Sequence, residues 1–188
     1  MVADMSDGYV SQIDLEKIYR NLISPEHKRF FVIARYTGEK FNRITKLKIG
    51  DVYDENCYPL DVITFGRGTS DQRDAIVFER LKELLSYHRP KKCDLDAWLF
   101  PSKSRTGNHI GFAATDKWLR NAAYRADIDH WNISTHTFRK VFVTTLYEHG
   151  MSIEAIQETV GFKTQNSVTR YIADKTQKIA KSLNNIFP

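Results

Sequence analysis

At 188 residues, with 41% hydrophobic and 27% charged residues, the chain has the composition of one ordinary globular domain with a sizeable core. No apolar run of about 18 residues predicts a membrane span. The N-terminus lacks the apolar core of a secretion signal, so we expect a cytoplasmic protein. The net charge of +5 and the pI near 9.1 are compatible with a polyanionic partner but do not require one. Cys57 and Cys93 lack metal-ligand spacing and are expected to be reduced thiols.

The first part of the chain is predicted to be helical. Residues 1–12 show no hydrophobic period and are expected to be a disordered start or a cloning remnant. Apolar residues recur at helical spacing over 13–22. The pair Ser24-Pro25 is typical of a cap and a first helical position, and the helix that it begins is expected to end at Gly38. A short third helix is predicted from Phe41 to Leu47.

Three antiparallel strands are expected in the next segment. Val52 and Tyr53 precede a turn, residues 58–65 alternate between apolar and polar, and residues 73–78 follow a glycine-rich turn. The sequence therefore predicts a mainly α protein that contains a small three-stranded antiparallel sheet (α+β).

The remainder is again predicted to be helical. Helices are expected over residues 79–88, after a cap at Thr115, and over residues 134–161 with a break at Gly150. No repeat and no shift of composition divides the chain, so residues 13–173 are interpreted as one domain.

A histidine and an arginine three positions apart begin the most informative stretch. His136 and Arg139 share one face of a helix, near a start that Ser134 or Thr135 is expected to cap. Backbone N–H groups and the helix dipole favour an anion there, and a guanidinium can bind two phosphate oxygens at once. These residues predict a phosphate site, and Tyr171 follows the glycine that ends the next helix by ten positions.

With both glycine stops and the tyrosine in register, this stretch resembles the tyrosine recombinase (phage integrase) family. The resemblance implies that Tyr171 is the nucleophile that attacks a DNA phosphate, while His136 and Arg139 hold the non-bridging oxygens. It implies a catalytic domain that uses no metal and no other cofactor. Family members often dock the C-terminal helix or tail, here residues 174–188, on a neighbouring protomer.

The resemblance extends upstream, where two cations look exchanged. Residues 37–44, T-G-E-K-F-N-R-I, stand where the family usually has T-G-L-R-I-S-E-L. The first catalytic arginine of the family falls on Lys40 and its usual glutamate on Arg43, and either side chain can supply the missing cation. The family's catalytic lysine, commonly in a G-K-G turn followed by an arginine, falls on Arg67 of a G-R-G turn, with Arg73 as the later arginine.

The exchange keeps the positive charge but changes the proton chemistry. The family's lysine is associated with protonating the leaving 5′ oxygen, whereas an arginine stays protonated. We hypothesise that Lys40, His136 or a water takes the acid role in place of Arg67. A third departure is Phe162, where the family usually has His or Trp: phenylalanine packs but donates no hydrogen bond, and Lys163 is a candidate to compensate.

The resemblance implies a site-specific recombinase (integrase) that cleaves and rejoins double-stranded DNA in the integration or excision of a mobile element. Such a protein is expected to be nucleoid-associated, monomeric when free and tetrameric on DNA. Candidate DNA contacts are Arg43, Arg73, Lys103, Arg105 and Lys163. Two alternatives stay open: a DNA-binding accessory protein of the same fold with impaired catalysis, which the three departures support, and a type IB topoisomerase-like nicking-closing enzyme.

Overall fold

The computed structural model describes residues 10–103, 107–129 and 133–173. Its elements follow one another as α1 (Gln12–Arg20), α2 (Pro25–Thr37), α3 (Phe41–Ile44), a 3₁₀ turn (Ile49–Asp51), β1 (Val62–Phe65), β2 (Arg73–Ile76), α4 (Glu79–Tyr87), α5 (Phe112–Arg125), α6 (Thr135–Glu148) and α7 (Ile153–Val160). A last helical stretch, α8, covers residues 165–173. The mainly helical prediction is confirmed. None of the helices in these ranges combines the length and the apolar character that a bilayer crossing requires.

The sequence signals at the two ends of α2 act as predicted. The Ser24 hydroxyl accepts a hydrogen bond from the Glu26 amide (3.2 Å), and Pro25 is the first helical residue. Gly38 ends the helix at φ +61°, where its N–H donates to the Ala34 carbonyl. A Cβ at Gly38 would also lie 2.6 Å from the Phe142 ring, so this glycine lets α6 pack closely against the end of α2.

The sheet has two antiparallel strands in the described residues, in a register that runs from Val62 opposite Ile76 to Phe65 opposite Arg73. Its inner face carries Ile63, Phe65 and Ala75, which are buried in the core. The alternation that predicted these two strands therefore has its physical basis in one buried face.

The predicted third strand is wrong. Tyr53 makes only an isolated bridge with Pro59. The Tyr53 amide donates to the Ile49 carbonyl four residues earlier (2.8 Å), which closes one α-type turn directly after the 3₁₀ turn and removes the amide from a ladder. Cys57 adopts φ +62°, and Pro59 has no N–H to donate, so the chain on the other side of the bridge is unsuited to an extended pair.

The expectation of reduced cysteines is also wrong, because Cys57 and Cys93 form a disulfide. Their Cα atoms are 5.6 Å apart across a sequence separation of 36 residues. The expectation came from the cytoplasmic location that the sequence suggested. Whether two cysteines form a disulfide depends on how close the fold brings them, and their sequence spacing does not give that distance.

Two predicted boundaries move. Helix α5 begins at Phe112, ahead of Thr115, which is fully buried and donates its hydroxyl proton to the Phe112 carbonyl (2.6 Å) instead of capping the helix. The ordered chain begins before residue 13, since Val10 is buried in the core and the Ser11 hydroxyl caps α1. The predicted tail over 174–188 lies outside the described residues.

The hydrophobic core consists of two clusters. The larger one joins helices α1 to α6 and the sheet, with edge-to-face aromatic contacts such as Phe30–Phe41 and Phe31–Phe138, each 4.9 Å between ring centroids. The smaller one is formed by α6, α7 and α8 around four fully buried residues: Val143, Ile156, Val160 and Val168. The last helix is therefore held by the smaller cluster.

Candidate active site

An open cavity of about 1230 Å³ lies where α6, α7 and α8 meet the segments that follow α2 and precede β2. Four of the five predicted catalytic residues line it together: Lys40, His136, Arg139 and Tyr171. The lining contains seven lysine and arginine side chains against three carboxylates. The other cations are Arg43, Arg73, Lys140, Lys163 and Arg170, and the carboxylates are Asp71, Asp74 and Glu158. This excess of positive charge attracts a polyanion.

Helix α6 presents the His-x-x-Arg pair as the spacing predicted. Ser134 occupies the N-cap position, and its amide donates to the Thr137 hydroxyl (3.0 Å). His136, in the first turn, is exposed, whereas Arg139 is buried with 5% of its surface accessible. Both side chains line the cavity, so the shared helix face is confirmed.

The guanidinium of Arg139 joins the ends of two helices. Its Nη1 donates to the Gly38 carbonyl and its Nη2 to the Val160 carbonyl, each at 3.0 Å. Its Cζ lies 4.3 Å from the ring centroid of Phe162, in a cation–π contact. The buried Nε has no hydrogen-bond partner among the described residues. The group is thus fixed in one plane at the wall of the cavity.

Arg73 makes the same kind of link beside it. Its Nη2 donates to the carbonyls of Thr37 (2.9 Å) and Thr159 (2.6 Å), and only 8% of its side chain is exposed. A Cβ at Gly161, which has φ +69°, would lie 2.7 Å from Arg73 Cδ, so this glycine makes room for the arginine. Arg73 was predicted as a DNA contact; the structure instead places its guanidinium inside the protein as an internal link.

A carboxylate that the sequence reasoning missed lies between these arginines. Glu39 is only 1% exposed. Its Oε2 accepts from Arg73 Nη1 (2.8 Å) and its Oε1 from the Lys40 amide (2.8 Å), while Arg43 and Arg139 each approach one carboxylate oxygen to 3.8 Å. Burial lowers the pKa of Arg73 and of Arg139, and the Glu39 charge acts in the opposite direction. The sequence does contain a signal for this carboxylate, because Glu39 stands where the family motif usually has a leucine.

Helix α8 brings Tyr171 to the cavity. Its ring centroid lies 5.5 Å from that of Phe162, the ring that also lies beneath the Arg139 guanidinium. The phenol and the guanidinium therefore contact one and the same phenylalanine. This shared contact places Tyr171 and Arg139 at the same wall of the cavity.

The structure separates the two candidates for the missing cation. Lys40 is exposed at the N-cap of α3 and lines the cavity. Arg43 also lines it, but its Nη2 donates to the carbonyls of Phe65 (3.0 Å) and Asp71 (2.6 Å), which ties it to the β1–β2 turn. The side chain that can move toward a ligand is therefore that of Lys40.

Of the remaining predicted site residues, Lys163 lies at the cavity, whereas Arg67 and Lys103 do not line it. Arg67 is not among the residues that line the cavity: 61% of its side chain is exposed, and its Nε donates to Asp51 Oδ1 at 2.8 Å. Lys163 is exposed within the cavity lining, next to Phe162. Lys103 is exposed elsewhere on the surface. Arg105 lies outside the described residues.

The arrangement offers the groups that phosphoryl transfer to a side chain requires. The phenol is a nucleophile, the imidazole can exchange a proton, and fixed guanidinium donors can stabilise an oxyanion. Within the three described ranges, no group of three or more His, Cys, Asp or Glu side chains is placed to hold a metal ion.

Comparison with known proteins gives a consistent picture. Residues 10–178 match the profile of the phage integrase family. The tyrosine recombinase XerD of Staphylococcus saprophyticus is 26% identical over 157 residues, which cover 81% of this chain and 51% of that protein. The chain thus spans about half the length of this relative.

Three solved structures share the fold. The XerA recombinase superposes with a TM-score of 0.71 at 21% identity, over 87% of this chain and 59% of that one. XerH, bound to its palindromic difH substrate in a post-cleavage complex, superposes with a TM-score of 0.69 at 20% identity. The match covers 93% of this chain and 52% of that one. The Tn1549 transposon integrase, in complex with a circular intermediate DNA, superposes with a TM-score of 0.65 at 18% identity. The match covers 87% of this chain and 60% of that one.

Proposed function

Since this chain belongs to the phage integrase family, we propose that it is the catalytic part of a site-specific DNA recombinase that works through a 3′-phosphotyrosine intermediate. The observation that carries the proposal is the single cationic cavity that Tyr171, His136, Arg139 and Lys40 line together. Arrangements of this kind stabilise the charge of a pentacoordinate phosphate as it develops.

The reaction consists of two transfers at one phosphorus atom. In the first, the Tyr171 oxygen loses its proton and attacks the phosphorus, and the bond from phosphorus to the 5′ oxygen breaks. The leaving oxygen takes up a proton and becomes a 5′ hydroxyl. In the second, a 5′ hydroxyl attacks the phosphotyrosine, and the phenol is released with its proton. The number of phosphodiester bonds is unchanged, so no external energy source is needed.

Each residue of the cavity has a role that follows from its chemistry and its position. Two backbone carbonyls hold the Arg139 guanidinium in place, and its positive charge stabilises the non-bridging phosphate oxygens. Lys40 supplies the exposed, mobile cation, and either Lys40 or His136 delivers the proton to the leaving oxygen. Arg67 lies outside this cavity, where it pairs with Asp51; its guanidinium stays protonated, so it can add positive charge but cannot act as the acid.

Double-stranded DNA is the proposed substrate, and integration or excision of a mobile element is the proposed context. The XerH and Tn1549 structures named above are complexes with DNA, which supports this choice. Affinity should fall steeply with salt concentration because lysine and arginine contacts to phosphates release counterions. We propose a monomer in free solution and a tetramer in the synapse.

A second candidate function, DNA binding with impaired catalysis, is favoured by a specific observation. Arg67, at the position of the family's catalytic lysine, is paired with Asp51 away from the cavity. Phe162, at the position of a usual hydrogen-bond donor, has none to offer.

Trapping on a nicked suicide DNA that carries the cognate site distinguishes the two functions. The parent protein should form a covalent adduct that resists denaturant, and Tyr171→Phe should form none. Tyr147→Phe, an exposed tyrosine of α6, is the matched control and should react like the parent. Binding without an adduct in the parent protein refutes the recombinase and supports the accessory protein.

A further inference from the structure

We infer that Glu39 is a positioning residue, the common counter-ion that sets the distance between the cation-bearing segments of the cavity. This inference deepens the proposed function and rests on it. Glu39 itself does not line the cavity, so its action is through other residues.

Glu39 carries a buried charge, which is costly unless it is compensated. A carboxylate that is 1% exposed is retained only where cations and hydrogen-bond donors compensate its lost hydration. Here Arg73 does so at 2.8 Å, and Arg43 and Arg139 lie at 3.8 Å. Three guanidinium groups that would repel one another are thus gathered around one negative charge.

The second step is that the two buried arginines join the same two helix ends. Arg139 connects the carbonyls of Gly38 and Val160, and Arg73 connects those of Thr37 and Thr159. Glu39 lies between them and adds its own bond to the Lys40 amide. We call this unit, formed by Glu39, Arg73 and Arg139, the double-arginine link.

The third step connects this link to the reacting groups. One of the joined segments carries Lys40, and the other continues into Phe162, against which Tyr171 packs. Loss of the Glu39 charge leaves two like charges side by side, so the two segments should move apart. A misplacement of about 1 Å at reacting groups costs up to about 10²-fold in rate.

The test measures DNA affinity and cleavage rate separately. Glu39→Gln keeps the shape of the side chain and removes its charge. At saturating suicide DNA, its rate of adduct formation should fall by about tenfold or more, while the Kd for DNA stays within about threefold, because Glu39 contacts no phosphate. Glu39→Asp, which restores the charge on a shorter stem, should recover part of the rate. Glu16→Gln, which removes a carboxylate that is 40% exposed and pairs with Arg35 outside the cavity, is the control and should react like the parent.

Each outcome decides something. An unchanged rate in folded Glu39→Gln overturns the positioning role and leaves the recombinase standing. A parent protein that forms no adduct with DNA to which it binds overturns both. If Glu39→Gln does not fold, Glu39→Asp carries the test: a rate below that of the parent at equal DNA affinity supports the inference, and equal rates overturn it.

Discussion

Removal of the Arg73 guanidinium should destabilise the protein strongly, whatever the chain does to DNA. Arg73→Met removes the hydrogen bonds to Glu39, Thr37 and Thr159 and leaves the Glu39 carboxylate buried without its nearest cation. Loss of one partner of a buried ion pair costs about 3–5 kcal/mol in the free energy of unfolding. Hydrogen bonds to charged groups contribute about 1.5–3 kcal/mol each, and the methionine stem retains part of the packing.

Equilibrium unfolding in urea, followed by circular dichroism, measures this free energy. Arg80→Met, in an exposed pair with Glu83, is the control and should leave the midpoint unchanged. Arg73→Lys should fall between the parent and Arg73→Met, because an ammonium keeps the charge but cannot reach both helix ends. If Arg73→Met lowers the free energy of unfolding by less than about 1 kcal/mol, water or a shifted side chain replaces the guanidinium. The double-arginine link would then contribute little to the stability of the fold.

Three further predictions concern the departures from the family and the disulfide. Phe162→His should raise the rate of adduct formation at saturating DNA by about tenfold or more, since one oxyanion donor is worth about 10²–10³ in well-studied sites; no gain would indicate that packing beneath Arg139 matters more. Arg67→Lys should cleave faster and show a pH–rate profile that differs from that of the parent, because lysine can release a proton; identical rates and pH–rate profiles would contradict this. Reduction of the Cys57–Cys93 bond, which closes a loop of 36 residues, should lower the free energy of unfolding by about 2–4 kcal/mol, and a double Cys→Ser variant should not respond to reductant.

The sequence predicted those parts of the fold that local chemistry decides. Ser24 and Pro25 begin a helix because they satisfy or remove orphan amides, and Gly38 ends it because only glycine adopts its backbone conformation readily. The pairing of β1 with β2 followed from a buried face with period two. The predicted cap at Thr115 was wrong because a threonine hydroxyl can either cap a helix or donate to a carbonyl within it. Burial, which the local sequence does not reveal, decides between the two.

Four of the five predicted catalytic residues line one cavity, but the sequence did not predict the ion pairs and hydrogen bonds among the residues around it. His136, Arg139, Lys40 and Tyr171 come together as the motif register predicted. Nothing local indicates that Arg73 would lie inside the protein, since its partners belong to segments 34 and 86 residues away. Such ion pairs form only once the tertiary fold brings distant helix ends together, so local sequence does not predict them.

The smaller hydrophobic cluster has a consequence for the helix that carries Tyr171. Helix α8 packs on the smaller cluster, which has four fully buried residues among those described and partly buried hydrophobic residues around them, whereas α2 lies within the main core. Local opening takes the least free energy where few apolar contacts must be broken. We therefore expect a local opening of α8 to displace the Tyr171 phenol at a lower free energy than a movement of Arg73 or Arg139, whose guanidinium groups are anchored to the helix ends by hydrogen bonds.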